Sequence, residues 1–311
     1  MPSSSPTICG WRSCVASILP LGKSGTSRID GTGSLPYERR RIAGPSRRLE
    51  LSDGSFVSLR SEGRIRIVTL ERPDTRNAIS TAVAEELADA CRAVAADEEA
   101  WVMILGAAGN KAFCVGADLK ERANFSLDDY HANRAPMRAM FHAIRTMPQP
   151  TIASIFGFAL GGGFELVLSC DLIVAAEGTE IGLPEARVGL LPAGGGTQLL
   201  TRKVGPNRAK ELIFTGKRLD VAAALDLGLI QEVVPFDSLR DSTLGLADRI
   251  VEASPVAVRE AKASIDAALG VPLEEGIERE NESWARVVAS DDRAEGIAAF
   301  NAKRRPEWKN R

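Results

Sequence analysis

No apolar run in the 311-residue chain approaches the roughly 18 to 20 residues that a bilayer span requires, and its longest candidates are broken by glycine and charge. A membrane-spanning helix is excluded on that ground. Histidine is scarce: His131 and His142 are the only two, and no further side chains stand around them at metal-ligand spacing, so no metal site is expected. The five cysteines (Cys9, Cys14, Cys91, Cys114, Cys170) are scattered and form no CxxC, which reads as free thiols in a reducing compartment. No repeat with a period of 20 to 50 residues is present. Gly22-Lys23-Ser24 resembles the end of a phosphate-binding loop, but the glycine required five positions before Gly22 is Ser17, and the match is rejected.

The composition, 44% hydrophobic and 26% charged, is that of a soluble globular protein with material for a substantial core. One large domain with an appendage fits the length. The formal net charge of −2 hides an asymmetry: the first 48 residues carry eight basic and two acidic groups, a net +6 that leaves −8 for the rest. The body therefore has no bias toward polyanions, and no nucleic-acid partner is expected. Residues 1–50 are rich in Ser, Gly, Pro and Arg, follow no structural period, and read as a disordered extension. Such a segment is either an organellar transit peptide or a non-folding extension. The 30 arginines against 9 lysines suit bacterial coding of high GC content, which favours the extension and a cytoplasmic location; a transit peptide would make it mitochondrial.

Ordered structure is expected from about Phe56. Residues 56–60 and 64–70 read as a hairpin around Ser61-Glu62-Gly63. Ser80 suits the N-cap of a helix to about Ala96, whose apolar stripe is Val83, Leu87, Ala90, Cys91 and Val94. Strands follow at 101–105, 151–156 and 172–176, with helices between them and one opening near Gly162. This alternation predicts an α/β fold over residues 51–235. Apart from residues 231–234, the chain from Pro206 onward is mainly helical in pattern. Residues 236–311 are accordingly a helical C-terminal region suited to subunit packing.

Two glycine-bearing loops carry the chemistry. In Gly157-Phe158-Ala159-Leu160-Gly161-Gly162-Gly163-Phe164-Glu165, three glycines follow an apolar strand where a helix begins. They either let helix and strand pack tightly or let backbone amides approach a ligand that acquires negative charge. A second loop, Ala112-Phe113-Cys114-Val115-Gly116-Ala117-Asp118, has the same setting. Asp118 and Glu121 stand in capping-box relation, so Asp118 reads as an N-cap that fixes the turn presenting the Ala117 amide. Glu165, in a first helical turn, is placed either for the helix dipole or for catalysis. Glu185 follows Pro184, which restricts its approach. Adding water to a conjugated double bond needs one group to orient water and another to deliver a proton, and two carboxylates can share these tasks.

From about Phe56 to the C-terminus, some 250 residues, the chain resembles the crotonase superfamily. The resemblance is closest to enoyl-CoA and methylglutaconyl-CoA hydratases. It is carried by the loop from Ala112 to Lys120, by Ala159-Leu160-Gly161-Gly162-Gly163-Phe164-Glu165-Leu166, and by Pro184-Glu185 followed by Leu191-Pro192-Ala193-Gly194-Gly195-Gly196-Thr197-Gln198. It implies a spiral of β-β-α units with a helical C-terminal region, commonly assembled as trimers or hexamers. It implies that the Ala117 and Gly162 amides form an oxyanion hole, that Glu165 helps activate water, and that Glu185 exchanges the proton at the α carbon. Substrate and CoA contacts are implied for Arg76, Ala78, Ala117, Asp118, Leu119, Lys120 and Gly162, with no cofactor because coenzyme A is part of the substrate. Two alternatives remain: an enoyl-CoA isomerase or other enolate-forming member, and a non-catalytic CoA- or RNA-binding scaffold. The helix after Ser80 also resembles a region to which RNA binding has been attributed in methylglutaconyl-CoA hydratases. Here it carries Glu85, Glu86 and Asp89, with Asp97, Glu98 and Glu99 beyond it, against a single Arg92, so its charge opposes that role.

Overall fold

A computed structural model describes the backbone of a strand at residues 47–49 and the chain from residue 55 to residue 311. The hairpin read from the sequence is present as β2 (Val57–Glu62) and β3 (Ile65–Leu70), antiparallel and in register from Val57 opposite Leu70 to Glu62 opposite Ile65. Its turn is tighter than expected: Glu62 and Ile65 still pair, and Gly63 supplies the positive φ of 56° that a two-residue connection needs. One strand lies ahead of the expected start, β1 (Arg47–Leu49), antiparallel to β2. The rest of the expected 1–50 extension lies outside the described residues.

Beyond the hairpin the chain changes to strand-helix units. Ser80 caps α1 (Thr81–Ala95), its side chain accepting the Val83 amide, and the predicted stripe Val83, Leu87, Ala90, Cys91 and Val94 is buried. β4 (Val102–Ala107) then pairs parallel to β3. A four-residue α2 (Leu119–Arg122) and the long α3 (Leu127–Arg145) lead to β5 (Thr151–Ile155), parallel to β4. After β6 (Phe158–Leu160) and α4 (Gly162–Leu168), β7 (Leu172–Ala176) pairs parallel to β5.

Then come β8 (Glu180–Gly182), a 3-10 turn (Glu185–Val188), α5 (Gly196–Val204), α6 (Pro206–Thr215), β9 (Leu219–Asp220) and α7 (Val221–Asp226), and β10 (Glu232–Val234) joins β7. Among the described residues the main sheet thus runs β1-β2-β3-β4-β5-β7-β10, antiparallel at the hairpin edge and parallel elsewhere. A small sheet, β6-β8-β9, stands apart from it.

Two apolar cores sandwich the main sheet because alternate strand residues point to opposite faces. Val68, Met103, Leu105, Ala153 and Ala175 face the larger core with α1, α3 and α4. Ile65, Val102, Ile104, Ile152 and Val174 face the smaller one with α8 (Leu239–Val251). The expected helical C-terminal region follows as α9 (Pro255–Ala268), α10 (Leu273–Val288) and α11 (Asp291–Asn301). No helix among the described residues is long and apolar enough to cross a membrane.

Candidate active site

The site is assembled where the small sheet meets the loop of residues 112–118. Cys114 forms a parallel bridge with Ala159 of β6: its amide donates to the Phe158 carbonyl and its carbonyl accepts from Leu160. Two residues on, the Gly116 carbonyl accepts from the Ile79 amide, and the Asp118 amide donates to the Ile79 carbonyl. The loop is thereby pinned on both sides, and the intervening Ala117 amide has no acceptor among the described residues. Gly162 opens α4, where an amide has no intrahelical partner. The two donors stand close together. A Cβ placed on Gly116, whose φ is +90°, would lie 3.0 Å from the Gly162 nitrogen, and one placed on Gly162 would lie 3.8 Å from the Ala117 nitrogen. Glycine at 116 and 162 keeps the space before the amides open.

Asp118 holds this turn, as expected of an N-cap. Its side chain accepts from Lys120 and Glu121 at the start of α2 and from Arg72 at 3.2 Å. Those partners hold its pKa below the ordinary carboxylate value although partial burial acts the other way as the largest single influence.

Glu165 lies one turn into α4 and is 3% exposed. Its Oε1 accepts two backbone hydrogen bonds, from Gly194 at 2.6 Å and Gly196 at 2.8 Å. α3 steadies the loop that donates them: Arg134 donates to the Ala193 carbonyl and Arg145 to that of Gly194. A Cβ on Gly194 would fall 2.3 Å from the Phe141 ring and 2.8 Å from Glu165 Oε2, so the loop can approach only as glycine. Loss of solvent raises the Glu165 pKa, against the lowering effect of the Gly196 and Gly194 amides and of Arg134.

Glu185 begins the 3-10 turn behind Pro184, which follows β8. The Gly161 amide donates to the Gly182 carbonyl, tying the start of α4 to the end of β8 and so bringing the two glutamates to one place. Glu185 Oε1 faces Gly161, 3.2 Å from where a Cβ there would lie, while its Oε2 is buried with no hydrogen-bond partner among the described residues. Burial above all pushes its pKa up to about 7, opposed by its own backbone amide and assisted to a lesser degree by the nearby Glu165 charge.

Both carboxylates and both amides line one cavity of about 390 Å³. Of the residues expected to contact substrate, Ala117, Leu119 and Gly162 are in its wall, whereas Arg76, Ala78, Asp118 and Lys120 stand outside it. Arg76 is exposed in a left-handed conformation with φ 53°, and Ala78 is buried with its carbonyl accepting from Arg72. The rest of the wall is largely apolar: Ile79, Met137, Phe141, Val188, Leu190 and Leu191. Reading the sequence assigned no role to Gly194 and Gly196, although their glycine run is the signal that marked the other two loops. Arg122 and Arg134, also in the wall, carry no signal that separates them from solvated surface cations.

Two free amides opposed by two carboxylates of raised pKa form a site that can stabilise an enolate oxygen and move a proton at the neighbouring carbon. Relatives place that chemistry in a family. The profile of the family described as Enoyl-CoA hydratase/isomerase matches residues 60–311. The mouse protein named Enoyl-CoA hydratase domain-containing protein 2, mitochondrial, is 40% identical over 245 residues, 78% of this chain and 83% of its own. The crystal structure of an enoyl-CoA hydratase from Bacillus anthracis is 38% identical with a TM-score of 0.81, covering 82% of this chain and all of its own. That of an enoyl-CoA hydratase from Mycobacterium tuberculosis H37Rv is 32% identical with a TM-score of 0.76, covering 83% and 100%. The chain belongs to the enoyl-CoA hydratase/isomerase family and has the crotonase fold.

Proposed function

We propose that the protein adds water to the double bond of a 2-enoyl-CoA thioester, giving a 3-hydroxyacyl-CoA. The observation that carries this reading is the pair Glu165 and Glu185 in one cavity with the unpartnered Ala117 and Gly162 amides. The thioester oxygen accepts from both amides, which stabilise the negative charge it gains as the double-bond electrons move toward it. Glu165, ionised, takes a proton from water as the hydroxyl bonds to C3; Glu185, protonated, delivers a proton to C2. Loss of one amide donor costs on the order of 3 to 4 kcal/mol in such a transition state. An isomerase needs a single base to carry a proton between two carbons, and the second carboxylate favours hydration over that alternative. The chain itself supplies all the acid/base groups for this step, and coenzyme A enters with the substrate.

The exposed apolar residues of α10 and α11, together with the family resemblance, support assembly as a trimer or hexamer. The arginine-over-lysine bias supports a cytoplasmic location. The test is direct: incubate the purified protein with crotonyl-CoA and identify the product by mass. A product heavier by one water is expected. Conversion of 3-enoyl-CoA to 2-enoyl-CoA without hydration would replace this reading with the isomerase.

A further inference from the structure

A second cavity lies on the other side of the loop that binds Glu165. It measures about 510 Å³, with α3 on one side and residues 193–195 on the other. Arg134, Arg138, His142 and Arg145 line it, and no acid does. Their spacing along α3 is four, four and three residues, which makes one stripe about 16 Å long at the helical rise. The chain beyond residue 48 carries a net −8, so this wall reverses the charge of the body around it.

Two of the three guanidiniums are already held. Arg134 gives its Nη2 to the Ala193 carbonyl at 2.8 Å, and Arg145 its Nη1 to the Gly194 carbonyl at 3.2 Å. Their remaining nitrogens, and all of those on Arg138, have no partner among the described residues. Arg145 is half-buried, and loss of water lowers its pKa against the raising effect of Glu165. A cation short of water, with donors in place and no acid to meet them, is stabilised by a bound anion. Donors that are already fixed also lose little freedom on binding it.

We propose that this cavity is a ligand site separate from the one that holds both glutamates, and that it takes a small molecule bearing a diphosphate group. One carboxylate would meet a single guanidinium, whereas two linked phosphates offer charge and acceptors to all three. The volume is that of a small-molecule site and leaves room for an organic portion. Occupancy reaches Glu165 through the shared wall. Arg134, Phe141, Ala193 and Gly194 border both cavities, and the Gly194 amide is one of the two that hold Glu165 Oε1. An anion drawn to Arg134 and Arg145 competes with the carbonyls that steady this loop and opposes a negative charge on Glu165, so it slows the reaction. That consequence rests on the hydratase reading; the binding does not.

Calorimetric titration of the purified protein with inorganic pyrophosphate at low ionic strength tests the binding. One site per chain is expected. Arg138→Met, exposed and outside the cavity of the glutamates, should weaken it about tenfold or more. Arg76→Met, in the loop that resembles a CoA contact, should leave it unchanged. ADP titrated in parallel shows whether the site reads the diphosphate alone, by equal affinity, or an attached organic part as well, by a tighter one. Absence of binding overturns the proposal, and so does equal binding by the parent and Arg138→Met. Loss in Arg76→Met alone would assign the anion to the CoA contacts. A parent that binds no pyrophosphate while Arg138→Met shows a smaller mass in light scattering would give the stripe to another copy of the chain. In crotonyl-CoA hydration, pyrophosphate should lower kcat at unchanged KM in the parent and not in Arg138→Met. A raised KM alone would mark competition with CoA and overturn the link to Glu165. Pyrophosphate binding without any hydration overturns the hydratase reading and leaves the site standing.

Discussion

At the scale of the residue, the two glutamates are distinguished by what surrounds their oxygens. Glu165 Oε1 is saturated by the Gly194 and Gly196 amides, whereas Glu185 Oε2 has no hydrogen-bond partner among the described residues. In the proposed hydration Glu165 starts ionised and Glu185 protonated; in the reverse reaction the proton would start on Glu165. Both active forms hold one proton on the pair, and the overall equilibrium takes up none. The pH profiles of kcat/KM should therefore be bell-shaped and superimpose in the two directions. The basic limb is expected near the value of about 7 to which Glu185 is pushed, since activity falls as the pair loses its last proton. Initial rates measured across pH check this, and a kcat/KM that stays flat through the basic range would exclude a protonated Glu185 as the acid. Glu165→Gln and Glu185→Gln should each lower kcat by about 10² or more with an unchanged circular dichroism spectrum. The two glycine loops are legible in the sequence because glycine runs beside apolar strands mark backbone that approaches closely, whereas roles for Glu165, Glu185 and the Ala117 and Gly162 amides come only from the family resemblance, since a first-turn glutamate and a lone Pro-Glu say nothing by themselves. The half-buried Arg122 in the cavity wall is not legible, because its neighbours Lys120 and Glu121 make the segment read as a solvated face.

At the scale of the element, glycine decides how closely α4 can lie against the loop that carries Ala117. A Cβ on Gly163 would fall 2.1 Å from the Cys114 carbonyl oxygen, against backbone that the β6 bridge holds in place. Gly163→Ala is expected to destabilise the fold by about 1 to 3 kcal/mol or more, since helix and loop must separate. Gly106, on β4, offers the opposite case: nothing lies within 4 Å of a Cβ there and its φ is not positive. Gly106→Ala should leave stability unchanged or raise it by about 0.4 to 1 kcal/mol. Urea unfolding of the two variants beside the parent measures both signs, and a Gly163→Ala protein of parental stability would show that the loop is not fixed. The longer helices α1, α9 and α10 are legible because they repeat their period over several residues, and β7 because its five residues are an unbroken apolar run. The small sheet is not. β6, β8 and β9 have two or three residues each, too few to show alternation, and long-range pairing alone makes them strands.

At the scale of the whole molecule, the C-terminal helices contribute little to the two cores yet carry much apolar surface. α10 and α11 bury among them only Ser283, Asp292 and Ala299. Leu273, Trp284, Ile297 and Phe300 stay exposed, Phe300 by 83%, and Ile265 and Leu269 at the end of α9 add to them. Isolated apolar residues at a surface are ordinary; this many over three successive helices supports the proposed assembly through this face. Covering one such side chain stabilises an assembly by roughly 1.5 to 3 kcal/mol, so a charge placed among them should weaken association while leaving the chain's own cores untouched. Light scattering of the parent is expected to give three or six chain masses at micromolar concentration. Phe300→Glu or Trp284→Glu should shift that mass downward with helical content retained, because neither side chain is part of either core. A parent protein of one chain mass would overturn the assembly. Variants that keep the parental mass would move the interface to another face. Crotonyl-CoA hydration by the dissociated variants then separates two roles for assembly: activity retained means the cavity is complete within one chain, and activity lost means that a neighbouring chain finishes it.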